Sequence, residues 1–154
     1  MLRAVVDTNV WVSALLNPRG HPALVLGAFR NSRFLSILSQ PLVEELIDVL
    51  GRSRIVDKYK LKPEEVAQYT ALIVERSEMV SPSGKLHLCR DPRDDMVLET
   101  AIVGEASCLV SRDDDIKTDE DLVREMELRG VKVLSVASFI DLVSEEFGSG
   151  RDPA

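Results

Sequence analysis

The feature that most constrains the fold of this chain is the alternation of short apolar runs with longer helical segments. Apolar runs at 3–6, 34–38, 107–110 and 131–134 predict strands, and a further short strand is expected near Val80. Helices are predicted at 22–29, 39–50, 63–77, 94–105, 118–129 and 135–147. Runs that are apolar throughout are typical of strands covered on both faces. The sequence therefore predicts an α/β fold with a mostly parallel sheet between helices.

The length of 154 residues fits one domain, which we place at 1–147, with a flexible C-terminal tail at 148–154. No apolar run approaches the roughly 18 residues that a membrane helix needs, so we expect no membrane association. The two cysteines lack a CxxC spacing, as expected for free thiols in the cytoplasm. The two histidines, His21 and His87, are far apart, which argues against a structural zinc site.

Charge is unevenly distributed, although the net charge of −7 argues against broad electrostatic capture of nucleic acid. The segment from Asp91 to Asp121 holds eleven acids and three bases, whereas Arg52 to Lys62 holds five bases and one acid. This pattern suits a cation site with a flank that contacts phosphate. For the basic segment itself we favour a solvated helix end, so replacing its bases should leave RNA affinity unchanged.

Two acids follow apolar runs, at the places where a parallel sheet presents its ligand sites. Asp7 comes directly after 3–6, and Asp113 comes shortly after Val110. A helix N-cap or a turn is an equally good explanation for either residue taken alone. If the strands are parallel, the two carboxylates emerge on the same edge of the sheet.

Asp94 shares a helical stripe with Val97, Leu98 and Ala101, so we expect it to face the core side while Asp95 and Glu99 are rotated away. Asp91, followed by Pro92, is expected to cap the same helix, with Asp94 at the third position of a capping box.

Glu44 and Glu45 flank the apolar face of their helix, and periodicity alone does not show which of them is the candidate site residue. Several carboxylates in one pocket would repel one another, and a hard divalent cation resolves the repulsion. Oxygen ligands without His or Cys favour Mg²⁺ or Mn²⁺, and such a site supports phosphodiester hydrolysis.

Four segments of the chain, taken in order, resemble the motifs of the PIN-domain family. They are 5–16, which begins Val5-Val6-Asp7-Thr8-Asn9, then 45–50, 91–95 and 109–116. The resemblance implies a three-layer α/β/α sandwich and a Mg²⁺- or Mn²⁺-dependent endoribonuclease. It also implies kinship with VapC-like toxins of toxin–antitoxin pairs, which bind an antitoxin protein and often form homodimers.

Carried over by position, the resemblance selects Glu45 over Glu44 and assigns roles to eight residues. The metal ligands and catalytic acids would be Asp7, Glu45, Asp94 and Asp113, with Asp115 as an auxiliary metal ligand. Thr8, Asn9 and Ser111, the last at a place where Thr is more usual, would orient carboxylates or water. Asp91 is a weaker candidate because capping suffices to explain it.

Three other functions stay open from the sequence. A structure-specific DNA nuclease of related fold usually carries extra helical segments for which this chain has no room. A phosphate-accepting receiver or phosphatase domain also places aspartates after strands, but Asp7-Thr8-Asn9 lacks the acidic pairing that those domains use. A catalytically silent domain that only binds RNA or an antitoxin is disfavoured by the full acid set.

Overall fold

The protein, seen here in a computed structural model, is described for residues 1–112, 116 and 118–149, with side chains up to residue 146. The strands are β1 (Arg3–Val6), β2 (Leu35–Ser39), β3 (Ser77–Val80), β4 (Cys108–Val110) and β5 (Lys132–Leu134). The helices are α1 (Thr8–Leu16), α2 (Pro22–Arg30), α3 (Gln40–Leu50), α4 (Ser53–Tyr59), α5 (Pro63–Glu75), α6 (Pro92–Val103), α7 (Glu120–Leu128) and α8 (Val136–Ser149).

The five strands form one sheet in the order β3-β2-β1-β4-β5, and every neighbouring pair is parallel. The chain steps outward from β1 through β2 to β3, and it then returns to β4 and steps the other way to β5. Because crossovers between parallel strands are right-handed, the two directions place their helices on opposite faces. Accordingly α6 packs on β1, β2 and β4, whereas α1, α2, α3, α5 and α8 contact one another in series. The predicted three-layer α/β/α sandwich is confirmed.

Aromatic side chains fix α1 on its face of the sheet. Trp11 packs edge-on against Phe29 with ring centroids 5.1 Å apart, and Phe34 packs edge-on against Phe139 at 5.0 Å. Such pairs add about 0.5–1.5 kcal/mol each to the energy of burial alone. The hydroxyl of Tyr69 donates to the carbonyl oxygen of Trp11 at 2.6 Å, and burial raises the pKa of that phenol. The helix that begins immediately after β1 is therefore held firmly in place.

Three elements differ from the sequence-based expectation. The helix α1 was not predicted from the sequence, where its apolar segment was assigned to neither helix nor strand. The basic segment forms a helix of its own, α4, which buries none of its side chains. The last helix continues through Ser149, two residues beyond the expected domain end, and the rest of the expected tail, 150–154, lies outside the described residues. In the described part of the chain, no helix combines the length and hydropathy that crossing a membrane requires.

Candidate metal centre at the carboxyl edge of the sheet

Asp7 lies at the carboxyl end of β1, where the strand order reverses between β1 and β4. Ligand sites of parallel sheets lie at such switch points. The side chain of Asp7 is only 6% exposed. Its carbonyl oxygen accepts from the N–H groups of Val10 and Trp11, but its carboxylate makes no capping bond to α1. Helix capping therefore does not account for the buried carboxylate of Asp7.

Ser111 joins Asp7 across the switch point. It follows β4 directly, and its fully buried hydroxyl donates to Oδ2 of Asp7 at 2.8 Å. The backbone N–H of Asp7 donates in turn to the carbonyl oxygen of Val110 at 2.9 Å. Ser111 thus orients the side chain of Asp7 from the end of the neighbouring strand. A contact of this kind is expected of a residue that positions a ligand carboxylate.

Thr8 and Asn9, the other two positioning candidates, begin α1 beside Asp7. Thr8 is 4% exposed, so its hydroxyl lies inside the protein at the foot of the site. Oδ1 of Asn9 accepts a long bond, 3.4 Å, from the backbone N–H of Arg112. Asn9 therefore holds the segment that follows Ser111.

Glu45 lies on α3, the helix that follows β2. It is half-buried, whereas Glu44 is exposed and accepts a weak bond from Gln40 at 3.4 Å. Both glutamates line a shallow cavity of about 260 Å³, together with Arg93 and Met96 of α6. The hydroxyls of Ser39 and Thr100, 2.8 Å apart, connect the start of α3 to the second half of α6 inside the protein.

Asp94 lies in the first turn of α6, half-buried, on the stripe continued by the buried residues Val97 and Leu98. It lines a cavity of about 540 Å³ together with Asp91 and Asp119. As expected, Asp91 caps α6 by accepting from the backbone N–H of Arg93 at 2.9 Å. The side chain of Arg93 also hydrogen-bonds to the Asp91 carboxylate, and this bond lowers the pKa of Asp91.

Arg93 interacts electrostatically with both Glu45 of α3 and Asp94 of α6. Its hydrogen bonds to Asp91 and then the charge of Glu45 raise the pKa of the guanidinium, with a smaller contribution from Asp94. The charges of Glu45 and Asp94 thus both act on one arginine at the start of α6, and Glu45 lines the same cavity as that arginine. The helical periodicity of the sequence does not identify Arg93 as a neighbour of these acids, because Arg93 lies on the exposed side of its helix.

The expectation that Asp95 and Glu99 are rotated toward solvent is wrong. Both are only 6% exposed, because the loop 81–91 covers them. Oδ1 of Asp95 accepts from the N–H groups of Leu88 and Cys89 at 2.8 Å each. Glu99 accepts from the backbone N–H groups of Gly84, Lys85 and Leu86 at 3.0–3.1 Å and from the hydroxyl of Ser83. The periodicity of α6 carries no information about a loop whose N–H groups need acceptors.

This loop anchoring also shapes the ionisation of the site. Burial raises the pKa of Glu99, but its backbone and hydroxyl donors outweigh burial and hold the pKa below the ordinary value. Burial, then the charges of Asp95 and Asp94, raise the pKa of the Cys89 thiol to about 12. Cys89 is therefore a neutral thiol at physiological pH.

Asp113 and Asp115, the remaining predicted ligands, lie outside the described residues. Within the ranges that are described, no three acidic, histidine or cysteine side chains come close enough to hold a metal ion by themselves. Asp119 was missed by the sequence analysis. It caps α7 through the N–H of Leu122 at 3.1 Å, so its position resembles that of an ordinary capping residue, yet it faces the same cavity as Asp94.

Comparison with known proteins places these observations in a family. The family model of the PIN domain matches residues 3–115, which include β1 to β4. A similar protein is an uncharacterized protein of Methanocaldococcus jannaschii, 24% identical over 142 residues, an alignment that covers 91% of this chain and 90% of the relative.

Proposed function

The chain belongs to the PIN-domain family, and on that premise we propose that it is a divalent-metal-dependent endoribonuclease. PIN domains are typically nucleases that use divalent metal ions. The observation that carries the proposal is the buried carboxylate of Asp7 at the switch point, oriented by the hydroxyl of Ser111. A carboxylate oriented in this way at the end of a parallel strand is the type of oxygen ligand that a hard divalent ion binds.

The donor chemistry at this edge fits Mg²⁺ or Mn²⁺, because the candidate ligands are all carboxylates. Asp7, Glu45, Asp94 and Asp113 would hold the metal, with Asp115 as an auxiliary ligand. The half-buried position of Glu45, against the exposed one of Glu44, supports the choice between them. A bound divalent ion lowers the pKa of water and stabilises the leaving oxygen of a phosphodiester.

The residues around these acids have separate tasks. Ser111 fixes the orientation of the Asp7 carboxylate, and Asn9 holds the backbone segment that follows Ser111. The loop 81–91, held by Asp95 and Glu99, leads directly into Asp91 and the first turn of α6, so it sets the position of Asp94. No covalent nucleophile is required, because water attacks the phosphorus.

We extend the proposal to the biological role: the toxin component of a toxin–antitoxin pair, acting on RNA as a cytoplasmic homodimer restrained by an antitoxin protein. The match to the PIN-domain family supports this role, because many members of the family are the toxins of such pairs. Induced expression of the wild-type chain should arrest growth, whereas the Asp7→Asn variant, expressed to the same level, should not. Equal growth of both cultures would contradict the toxin role.

The nuclease activity is tested by cleavage of single-stranded and structured RNA in Mn²⁺ or Mg²⁺. We expect cleavage by the wild type, its loss on addition of EDTA, and its loss in Asp7→Asn and Asp94→Asn. Asp141→Asn, which changes an exposed acid on α8, is the matched control and should cleave normally. Undiminished cleavage in both Asp7→Asn and Asp94→Asn, or cleavage of DNA in preference to RNA, would overturn the proposal.

A further inference from the structure

Another cavity lies close to Asp7, and the proposed metal chemistry does not use it. Its volume is about 690 Å³, and it lies between α1, the start of α2, the end of α4 and the start of α8. Its polar and aromatic lining includes Ser13, His21, Tyr59, Arg112 and Ser135. Arg112 directly follows Ser111, whose hydroxyl contacts Asp7, so the cavity begins one residue from the candidate metal centre.

Two features of this cavity favour an anion. The exposed guanidinium of Arg112 donates to the hydroxyl of Ser13 at 2.5 Å, and no carboxylate in the described ranges forms an ion pair with it. Val136 and Ala137, the first residues of α8, also line the cavity. The positive end of that helix dipole therefore lies at the cavity wall. In a chain of net charge −7, these are local sites for a phosphate.

The lining of the cavity also includes an aromatic ring. Tyr59 ends α4 and is 39% exposed, although it is one of the larger apolar side chains of the protein. The ammonium of Lys58 lies 5.3 Å from the centre of this ring, so a cation accompanies it. Exposed aromatic rings beside cationic groups are the stacking platforms that proteins use for the bases of single-stranded nucleic acid.

We propose that this cavity binds one nucleotide of a single-stranded RNA substrate, next to the phosphate that is cleaved. Arg112 binds the phosphate of that nucleotide, and Tyr59 stacks on its base. The inference rests on the proposed ribonuclease function and assigns to α4, otherwise without a buried residue, the task of presenting Tyr59. The bases of this segment keep the solvated position expected from the sequence, and the segment contacts RNA through its aromatic residue, Tyr59.

The test measures binding without turnover. Fluorescence anisotropy of a short labelled single-stranded RNA, in EDTA and at low ionic strength, gives the dissociation constant of each variant and its salt dependence. Arg112→Gln should raise the dissociation constant about tenfold and reduce the salt slope by about 0.7, the value for one phosphate contact on a single strand. Tyr59→Ala should weaken binding about tenfold with an unchanged slope, and Tyr59→Phe should bind as the wild type does.

The matched control is Arg54→Gln, which removes an exposed charge from the same helix outside the cavity lining and should leave the affinity unchanged. Thermal unfolding checks that each variant is folded. The inference is overturned if the wild type does not bind, if Arg112→Gln and Tyr59→Ala bind normally, or if Arg54→Gln weakens binding as much as Arg112→Gln. The expected binding pattern without any cleavage in Mn²⁺ would support the cavity and overturn the nuclease function alone.

Discussion

At the scale of single residues, the contact between Ser111 and Asp7 distinguishes this aspartate from an ordinary capping residue. The hydroxyl donor comes from the next strand of the sheet, and both side chains are buried. An orienting bond of this kind matters to a carboxylate that must meet an ion at a fixed angle, whereas it has little importance for a solvated turn.

Ser111→Ala tests that orienting bond. We expect it to lower the rate of metal-dependent RNA cleavage or the affinity for Mn²⁺ by roughly 10–100-fold. Ser107→Ala is the matched control, because Ser107 precedes β4 at the opposite edge of the sheet, where its hydroxyl donates to the carbonyl of Arg3. Equal activity of both variants would show that the Ser111 hydroxyl has no positioning role.

Glu99→Gln tests the buried acceptor beneath the loop 81–91. The folded-state pKa of Glu99 lies below its ordinary value of 4.5, so the ionised form stabilises the fold above pH 4.5. That stabilisation is lost as the pH falls through the lower folded-state pKa. We expect the variant to have a free energy of unfolding about 1–2 kcal/mol below that of the wild type at pH 7.

Urea unfolding at a series of pH values measures this difference, which should shrink as the pH is lowered beneath 4.5. Glu145→Gln, on the exposed side of α8, should show no difference at any pH. A difference between wild type and Glu99→Gln that is independent of pH would contradict the role of the ionised carboxylate.

At the scale of elements, α6 organises the site through both of its sides. One side enters the core with Val97 and Leu98, and the other presents Asp95 and Glu99 to the loop 81–91. Gly84 allows the loop its turn, since it adopts a φ of +79°, a left-handed conformation that other residues rarely take. The stripe that contains Asp94 was predictable from the 3.6-residue period. The covering loop was not, because its contacts are between backbone N–H groups and carboxylates.

Asp95→Ala should release the last part of this loop. The N–H groups of Leu88 and Cys89 lose their common acceptor, so their hydrogen exchange should accelerate by about tenfold or more, while exchange in α5 stays unchanged. RNA cleavage should fall as well, because the loop leads into the turn that carries Asp94. Unchanged exchange at both amides would show that Asp95 does not anchor the loop.

At the scale of the whole molecule, the strand order explains why distant segments of the chain share one site. The strand order reverses between β1 and β4, which leaves an open crevice at the carboxyl ends of these strands. One side of the crevice, β1 with Asp7 at its end, was predicted from the apolar run in the sequence. The short apolar runs and their spacing were sufficient to predict the parallel sheet. The burial of Glu45 relative to Glu44 and the cavity beside Arg112 depend on how helices pack across the sheet, which no single segment encodes.

The central claim is that the carboxylates at this edge hold the divalent ion on which the nuclease reaction depends. Isothermal titration of the full chain with Mn²⁺ tests it most directly, with Asp7→Asn beside the wild type and Asp141→Asn as the control. We predict saturable binding by the wild type and the control, and an affinity at least about tenfold weaker in Asp7→Asn. Equal Mn²⁺ affinity in Asp7→Asn and the wild type would contradict the account.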